Sequence, residues 1–548
     1  MTRAIIAAFH RPPDDGYAMI LRTATIVIAT LLAVAQAHAQ APAHRLVMVT
    51  LASSATAPVS GRLLLFVVPL AYAKEQAKGH DVTEADIDQF DPGPAQFSAL
   101  EVEGLAPGKS VAVDTDGIVF PAGLSTLPAG DYLMQAVLDT DHSYPYEGRG
   151  PGDILSKVVP ITLGNDKALP ELTLEKAVPP SQPWQVSERM PPAVRQALKD
   201  AQAVAKPLDF VSPRLTAFWG RPIHMRGWIL TPPGYDPKGS ARYPTVYWTH
   251  GFTARLNNLT HEAAYVNAAM VKGQMPPMIW IFLDESFPSG THEFADSVNN
   301  GPWGAALTEE LIPSLEQQYR MDGNANGRFL NGHSSGGWAS LWLQTRYPKI
   351  FGGTWSTAPD PVDFREFAHG ASLYGNNVYR LADNSPVAFM RDMGGFGLEA
   401  SARLERALGP IGGQLASFDW VFSPRGDDGR AMPVFDRDTG AVDPVVAQYW
   451  RDNYDISWRI KRDWSTLAPD LDGKIHLIVG TADTFYLDDA VRLLEARMKE
   501  VGAKTDFRYL EGRTHGDLYK VGDDRQGLLK TIAWEMYKVA RPQSKRPG

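Results

Sequence analysis

The 548-residue sequence predicts a mostly parallel β-sheet covered by helices on both faces, preceded by an all-β, sandwich-like region. Three observations carry this expectation. From Arg45 to about Ala177 short β segments recur between turn residues, and from about Leu208 buried strands alternate with helices. The proline-rich stretch Val178-Pro179-Pro180-Ser181-Gln182-Pro183 separates the two patterns.

At the amino-terminal end, the apolar run Thr23 to Ala35 follows Arg22 and precedes the small-residue triplet Ala37-His38-Ala39. A run of about 13 residues is short for a spanning helix, which needs about 20, and suits a secretory signal peptide. Residues 1–39 are therefore read as a signal cleaved after Ala39, giving a secreted or periplasmic protein without stable membrane insertion. Met19 offers an alternative start, which would leave residues 1–18 untranslated.

Residues 45–177 read as an all-β accessory domain. Its segments include Arg45 to Thr50, Leu63 to Leu70, Phe97 to Gly104, Tyr132 to Leu138 and Val158 to Leu163, with Gly and Pro at the breaks. Residues 178–204 read as a linker followed by a helix that has Pro192 in its first turn. The catalytic domain is expected over 205–540. Its strands are Tyr243 to Trp248, Met278 to Leu283, Arg328 to Asn331 and Ile475 to Val479; its helices are Ala306 to Tyr319, Gly337 to Thr345 and Asp488 to Val501. Between 359 and 471 the alternation fails, leaving helical pieces at Ala400 to Leu408 and Ala447 to Tyr454. So long a stretch without strands reads as a cap-like insertion beside a site.

Composition narrows the chemistry. A 44% hydrophobic share with 21% charged residues is that of a globular chain, and a net charge of −9 excludes a general basic surface for nucleic acid. The absence of cysteine excludes disulfides, thiolate metal sites, iron–sulfur clusters and a cysteine nucleophile together. A nucleophile must then be Ser, Thr, Lys, Asp or Glu.

The sharpest local signal is Gly332-His333-Ser334-Ser335-Gly336, with an apolar strand before it and a helix-forming run after it. Gly-x-Ser-x-Gly arises by chance in a chain with 48 glycines; the strand and helix around it make this one specific. The two glycines permit a turn so sharp that Ser334 stands at its tip, facing the N–H groups of the following helix. A serine needs a base and an acid, expected downstream in that order as acid then His. Asp483 follows the strand ending at Val479, and His515 follows the strand Phe507 to Leu510, so both belong to loops at the same sheet edge. His515 would take the Ser334 proton and Asp483 would orient the imidazole. Alone, either residue reads as an ordinary loop residue; order and placement join them. His476 within its strand reads as buried, and Asp488 and Asp489 read as the first turn of a helix. Gly251, in Thr249-His250-Gly251-Phe252, lets backbone approach an acyl group, so the amides of Phe252 and Ser335 are the expected oxyanion donors. Gly251, His333, Trp303 and Trp338 are candidates for the substrate pocket. The tryptophans, with Trp355, Phe364 and Trp420, have core filling as the competing reading.

Three segments together carry a family likeness: Trp228-Ile-Leu-Thr-Pro-Pro-Gly-Tyr-Asp236, Tyr243-Pro-Thr-Val-Tyr-Trp-Thr-His-Gly-Phe252, and Gly332-His-Ser-Ser-Gly-Gly337. Over about residues 205–540 the chain resembles the esterase D and enterochelin esterase branch of the α/β-hydrolases, which also holds feruloyl esterases and mycolyltransferases. The resemblance implies an α/β-hydrolase fold and a serine nucleophile. Enterochelin esterases are also similar in carrying a β domain in front of the catalytic one. The long 359–471 segment departs from the family.

Other motifs are set aside. Asp322-Gly323-Asn324-Ala325-Asn326-Gly327 imitates a calcium loop, but its twelfth position is His333 rather than Glu, so it reads as a turn. Asp436-Arg437-Asp438-Thr439-Gly440 reads as a solvated turn, and Gly148 to Gly152 lacks the context of a nucleotide loop. The expectation is a serine esterase acting through an acyl-enzyme on a small-molecule or glycan-linked ester, such as a siderophore ester or a feruloylated sugar, with no metal or organic cofactor. The alternatives are a serine peptidase or acyltransferase on the same fold, or a non-catalytic glycan- or ligand-binding protein.

Overall fold

A computed structural model describes residues 44–164, 168–391 and 396–544, so the segment read as an export signal lies outside the described residues. Its architecture grows from strand alternation. In the strand Val59–Pro69 eight consecutive residues are buried, because both faces are covered. Leu63, Leu65 and Val67 share a core with Val47, Val49 and Leu51 of the strand Leu46–Leu51, so an antiparallel and a mixed layer sandwich this face. Leu64, Phe66 and Val68 face the other way and pack with Leu404, Ala407 and Leu408 of the helix Leu398–Leu408. Arg62 adds a buried hydrogen bond, its Nη2 donating to the carbonyl of Ala407 at 2.8 Å.

The larger sheet has eight strands: β1 (Lys206–Val211), β2 (His224–Leu230), β3 (Thr245–Thr249), β4 (Ile279–Leu283), β5 (Arg328–His333), β6 (Gly353–Thr357), β7 (Ile475–Gly480) and β8 (Asp506–Leu510). Their spatial order is β1-β2-β4-β3-β5-β6-β7-β8. β1 and β2 pair antiparallel, as do β2 and β4; the remaining neighbours are parallel. Alternate residues serve opposite faces. Val246, Trp248, Trp280, Phe282 and Phe329 enter one core, and Tyr247, Ile279, Ile281, Leu283 and Leu330 enter the other. Burial on both faces is the reason these strands read as continuous apolar runs.

The expected strands and helices of this region recur with ends shifted by a few residues, except that the helix expected at 306–319 is interrupted by a π turn, Leu307–Leu311, before Ile312–Gln318. The 359–471 segment holds four α-helices among the described residues: Leu398–Leu408, Gln414–Phe422, Pro444–Asn453 and Ile456–Leu471. Gln414–Phe422 escaped the sequence reading because it is buried around most of its circumference and therefore lacks an amphipathic period. Ile456–Leu471 starts at Asp455, whose carboxylate accepts the Trp458 N–H at 2.7 Å. Among the described residues no helix is long and apolar enough to cross a membrane.

Candidate active site

The site assembles at the carboxyl ends of the parallel strands, where loops can converge without blocking the hydrogen-bond ladder. β5 ends at His333, and the helix Ser335–Arg346 begins two residues later. Ser334 joins them with φ 60° and ψ −124°, a strained backbone for a residue with a side chain. The flanking glycines make the turn possible. A Cβ on Gly332 would fall 2.1 Å from the carbonyl oxygen of Gly336, and one on Gly336 would fall 2.4 Å from that of His250.

β3 lies beside β5 in parallel, with Thr249 opposite Gly332. This register carries the next loop against the serine. A Cβ on Gly251 would sit 3.0 Å from the Ser334 Cβ and 3.6 Å from its Oγ, so glycine there keeps open the space above that hydroxyl. The peptide that follows bears the Phe252 N–H. His250 braces this loop from beneath, its Nδ1 2.7 Å from the Gly251 carbonyl oxygen and its Nε2 3.1 Å from Asp284 Oδ1.

On the other side, the loop after β7 supplies Asp483 and the loop after β8 supplies His515. His515 Nδ1 lies 2.9 Å from Asp483 Oδ2. Asp483 is fully buried, and its Oδ1 accepts the N–H groups of Phe485 at 3.0 Å and Leu487 at 3.3 Å. Burial pushes its pKa up, but the hydrogen bond and positive charge of His515 and the two amides outweigh it, so the carboxyl titrates below its ordinary range. Arg391 fastens the same loop, its Nε donating to the Asp483 carbonyl at 2.8 Å and its Nη2 to Asp488 at 3.1 Å. The rival acids are thus engaged elsewhere, Asp488 with Arg391 and Asp489 with His369.

Both Ser334 and His515 open on one cavity of about 570 Å³. Its walls also include Gly251, Phe252 and His333. Burial, with the charge of nearby His515 second, lowers the His333 pKa to about 3, so this imidazole stays neutral. Ser335 is buried and turns its hydroxyl to Asp360. The candidate pocket residues Trp303 and Trp338 are elsewhere. Trp303 stacks on His292 at 3.6 Å and Trp338 on Trp342 at 5.3 Å, both in the core, because each lies on a face that packs against neighbouring elements and away from the strand ends. Trp355 and Phe364 are core residues too. His476, expected to be buried, is half-buried and stacks on Trp355. The loop resembling a calcium site is a turn whose Asp322 pairs with Arg541 at 2.8 Å.

Other wall residues were not anticipated. Asp360 follows β6; its Oδ2 accepts the Ser335 hydroxyl at 2.6 Å, and its Oδ1 lies 3.4 Å from Ser334 Oγ. Among the described residues, that long contact is the hydrogen bond Ser334 Oγ makes. An acid just past a strand end was the available signal, obscured because β6 went unrecognised. Phe90 comes from the all-β region, with its ring 5.6 Å from Phe485 and 6.5 Å from Phe252, both edge-on. Tyr146 anchors this contact, its hydroxyl donating to the Ala254 carbonyl at 2.6 Å, and Glu147 pairs with Arg255 at 2.7 Å. Nothing local to residue 90 could have announced this.

An eight-stranded sheet in this order, with a strained serine between β5 and its helix, defines an α/β-hydrolase, and within that class the protein is a hydrolase of carboxylic esters. A family model described as "Putative esterase" matches residues 221–524, more than half of the chain, and the protein belongs to that esterase family. Similar solved structures include an S-formylglutathione hydrolase from Agrobacterium tumefaciens, 14% identical over 63% of this chain and 95% of that one, with a TM-score of 0.36. A ferulic acid esterase from Anaeromyces mucronatus, solved with ferulic acid, is 14% identical over 60% and 90%, with a TM-score of 0.32. The fluorophosphonate-binding serine hydrolase F of Staphylococcus aureus is 12% identical over 61% and 98%, with a TM-score of 0.34.

Proposed function

We propose that Ser334, His515 and Asp483 form the nucleophile, base and orienting acid of an esterase that works through an acyl-enzyme. Ser334 Oγ attacks the ester carbonyl carbon while its proton passes to His515 Nε2. The oxyanion that forms accepts hydrogen bonds from the Phe252 and Ser335 amides. The carbon–oxygen bond to the alcohol then breaks, and the alcohol leaves with the proton from Nε2; water repeats the sequence and releases the acid. On substrate binding Ser334 Oγ would give up its long 3.4 Å contact with Asp360 for one with His515, since catalytic hydrogen bonds often tighten only in the complex.

The observation that carries this reading is the 2.9 Å contact from His515 Nδ1 to a buried carboxylate, on the same cavity as a strained serine. It leaves Nε2 as the proton acceptor. Mass spectrometry after fluorophosphonate treatment tests it: one adduct on the Ser334 peptide, absent in Ser334→Ala, is expected. A folded protein without that adduct overturns it.

In the same reading, residues 45–177 are an accessory domain and 359–471 a cap on a catalytic domain spanning 205–540. The protein is exported after cleavage behind Ala39; the apolar run and small-residue triplet support this. Amino-terminal sequencing of the protein from its native cell would then begin at Gln40, and an intact 1–39 segment would refute it.

A further inference from the structure

Asp360 is a carboxyl group out of place for a purely apolar ester pocket. It is 5% exposed, yet it lines the catalytic cavity. It is held rigidly: its N–H donates to the Ser334 carbonyl at 3.2 Å, Ser335 Oγ donates to its Oδ2 at 2.6 Å, and Gln414 Nε2 approaches the same oxygen at 3.3 Å. Every one of these partners is neutral. Among the described residues it forms no ion pair with Lys or Arg, and Arg525, the cation of the cavity wall, is not paired with it. Its other surroundings add negative charge or remain neutral. Glu262 shares the cavity wall, and burial, helped by the Asp360 charge, pushes the pKa values of Glu285 and Glu293 up, so those two carboxyls stay protonated and neutral beside it. Opposite it stand His515 and Asp483, already joined to one another.

Burial drives the Asp360 pKa up to about 6, with the Ser335 hydrogen bond and then the charge of His515 opposing, so the group is mainly ionised at neutral pH without a Lys or Arg paired to it among the described residues. Buried charges of this kind are stabilised by pairing, and a cationic substrate group would supply the missing partner. Position says where that group sits. During attack the ester carbonyl carbon lies about 3 Å from the serine oxygen. An amine on the adjoining carbon is two bonds further on, within hydrogen-bond reach of a carboxylate oxygen that is itself 3.4 Å from Ser334 Oγ.

We propose that Asp360 is a specificity-determining residue that pairs with a protonated amine α to the scissile carbonyl, so the preferred substrates are α-aminoacyl esters. The apolar wall formed by Phe90, Phe389, Phe418 and Phe485 then receives the side chain of the acyl group. This assignment rests on Ser334 being the nucleophile.

The test is a matched pair of substrates differing only in the ammonium group: phenylalanine methyl ester and methyl 3-phenylpropanoate. At pH 7 the wild type should favour the amino ester at least about tenfold in kcat/KM, the scale of one charge-assisted contact. Asp360→Asn, which keeps partners for Ser335 and Gln414, should bring the ratio close to one. A ratio within one enzyme does not depend on how much of it is folded. A wild type with no preference, or an Asn variant that slows both esters equally and keeps the ratio, overturns the proposal. Fluorophosphonate labelling separates the two failures: an adduct on Ser334 without amine preference removes only this inference, whereas no adduct removes the nucleophile reading beneath it.

Discussion

His515 Nδ1 lies 2.9 Å from Oδ2 of Asp483, a carboxylate with no exposed surface. That pairing fixes which ring nitrogen carries a proton and leaves Nε2 free for the serine. Asp483→Asn would offer an amide where an acceptor is required and favour the wrong tautomer. A fall in kcat of about 10³- to 10⁴-fold is expected, with an unchanged circular dichroism spectrum. Activity within about tenfold of wild type would show that His515 is oriented by something else.

Gly251 faces Ser334 on the shared cavity, where the proposed reaction places the ester. In Gly251→Ala the new methyl group would stand 3.0 Å from the Ser334 Cβ and 3.2 Å from the His333 carbonyl oxygen. The loop must retreat, taking the Phe252 amide with it. Loss of one oxyanion donor costs on the order of 10²-fold in kcat. Single-turnover acylation with a p-nitrophenyl ester measures it, and an undiminished acylation rate would place the oxyanion elsewhere.

Phe90 brings a residue of the all-β region into the cavity wall. Phe90→Ala removes apolar contact from a bulky acyl group and none from a small one. The kcat/KM for p-nitrophenyl octanoate is expected to drop about tenfold while that for the acetate holds, since a partly buried aromatic ring contributes about 1.5 kcal/mol. Equal changes for both esters would mean that the ring only supports the fold.

Glu285 is fully buried beside the loop that carries His250 and Gly251, and desolvation, opposed by His250, raises its pKa to about 8. Its unfolded counterpart ionises near 4.3. Between these values the folded chain holds a proton that the unfolded chain has released, so this residue costs stability increasingly as pH rises. Relative to wild type, Glu285→Gln should therefore gain stability from about pH 4.5 to pH 8 and level off above. The upper bound is on the order of 1 kcal/mol per pH unit. Urea denaturation at pH 5, 7 and 9 checks the slope; a difference independent of pH would mean the carboxyl is ionised in the fold.

The sequence by itself determined a mostly parallel sheet covered by helices, with five of its eight strands, the strand-to-helix turn at Ser334 and the strand-end loops holding Asp483 and His515. Those features follow from local patterns: glycine where backbone meets backbone, apolar runs where both sheet faces are covered, and alternation of strands with helices. β6 was missed because Gly353–Thr357, although buried throughout, has Trp355 as its one large apolar residue and so reads as neither an apolar run nor an alternation, and with it went Asp360. Trp303 and Trp338 show the limit of composition, since a large apolar residue near a motif fits a pocket and a core equally well until the packing is known. Only the tertiary structure decided that Phe90, Asp360 and Gln414, far apart in the chain, share one cavity. Periodicity records that a side chain turns inward, while the partner it meets depends on which distant element packs against it.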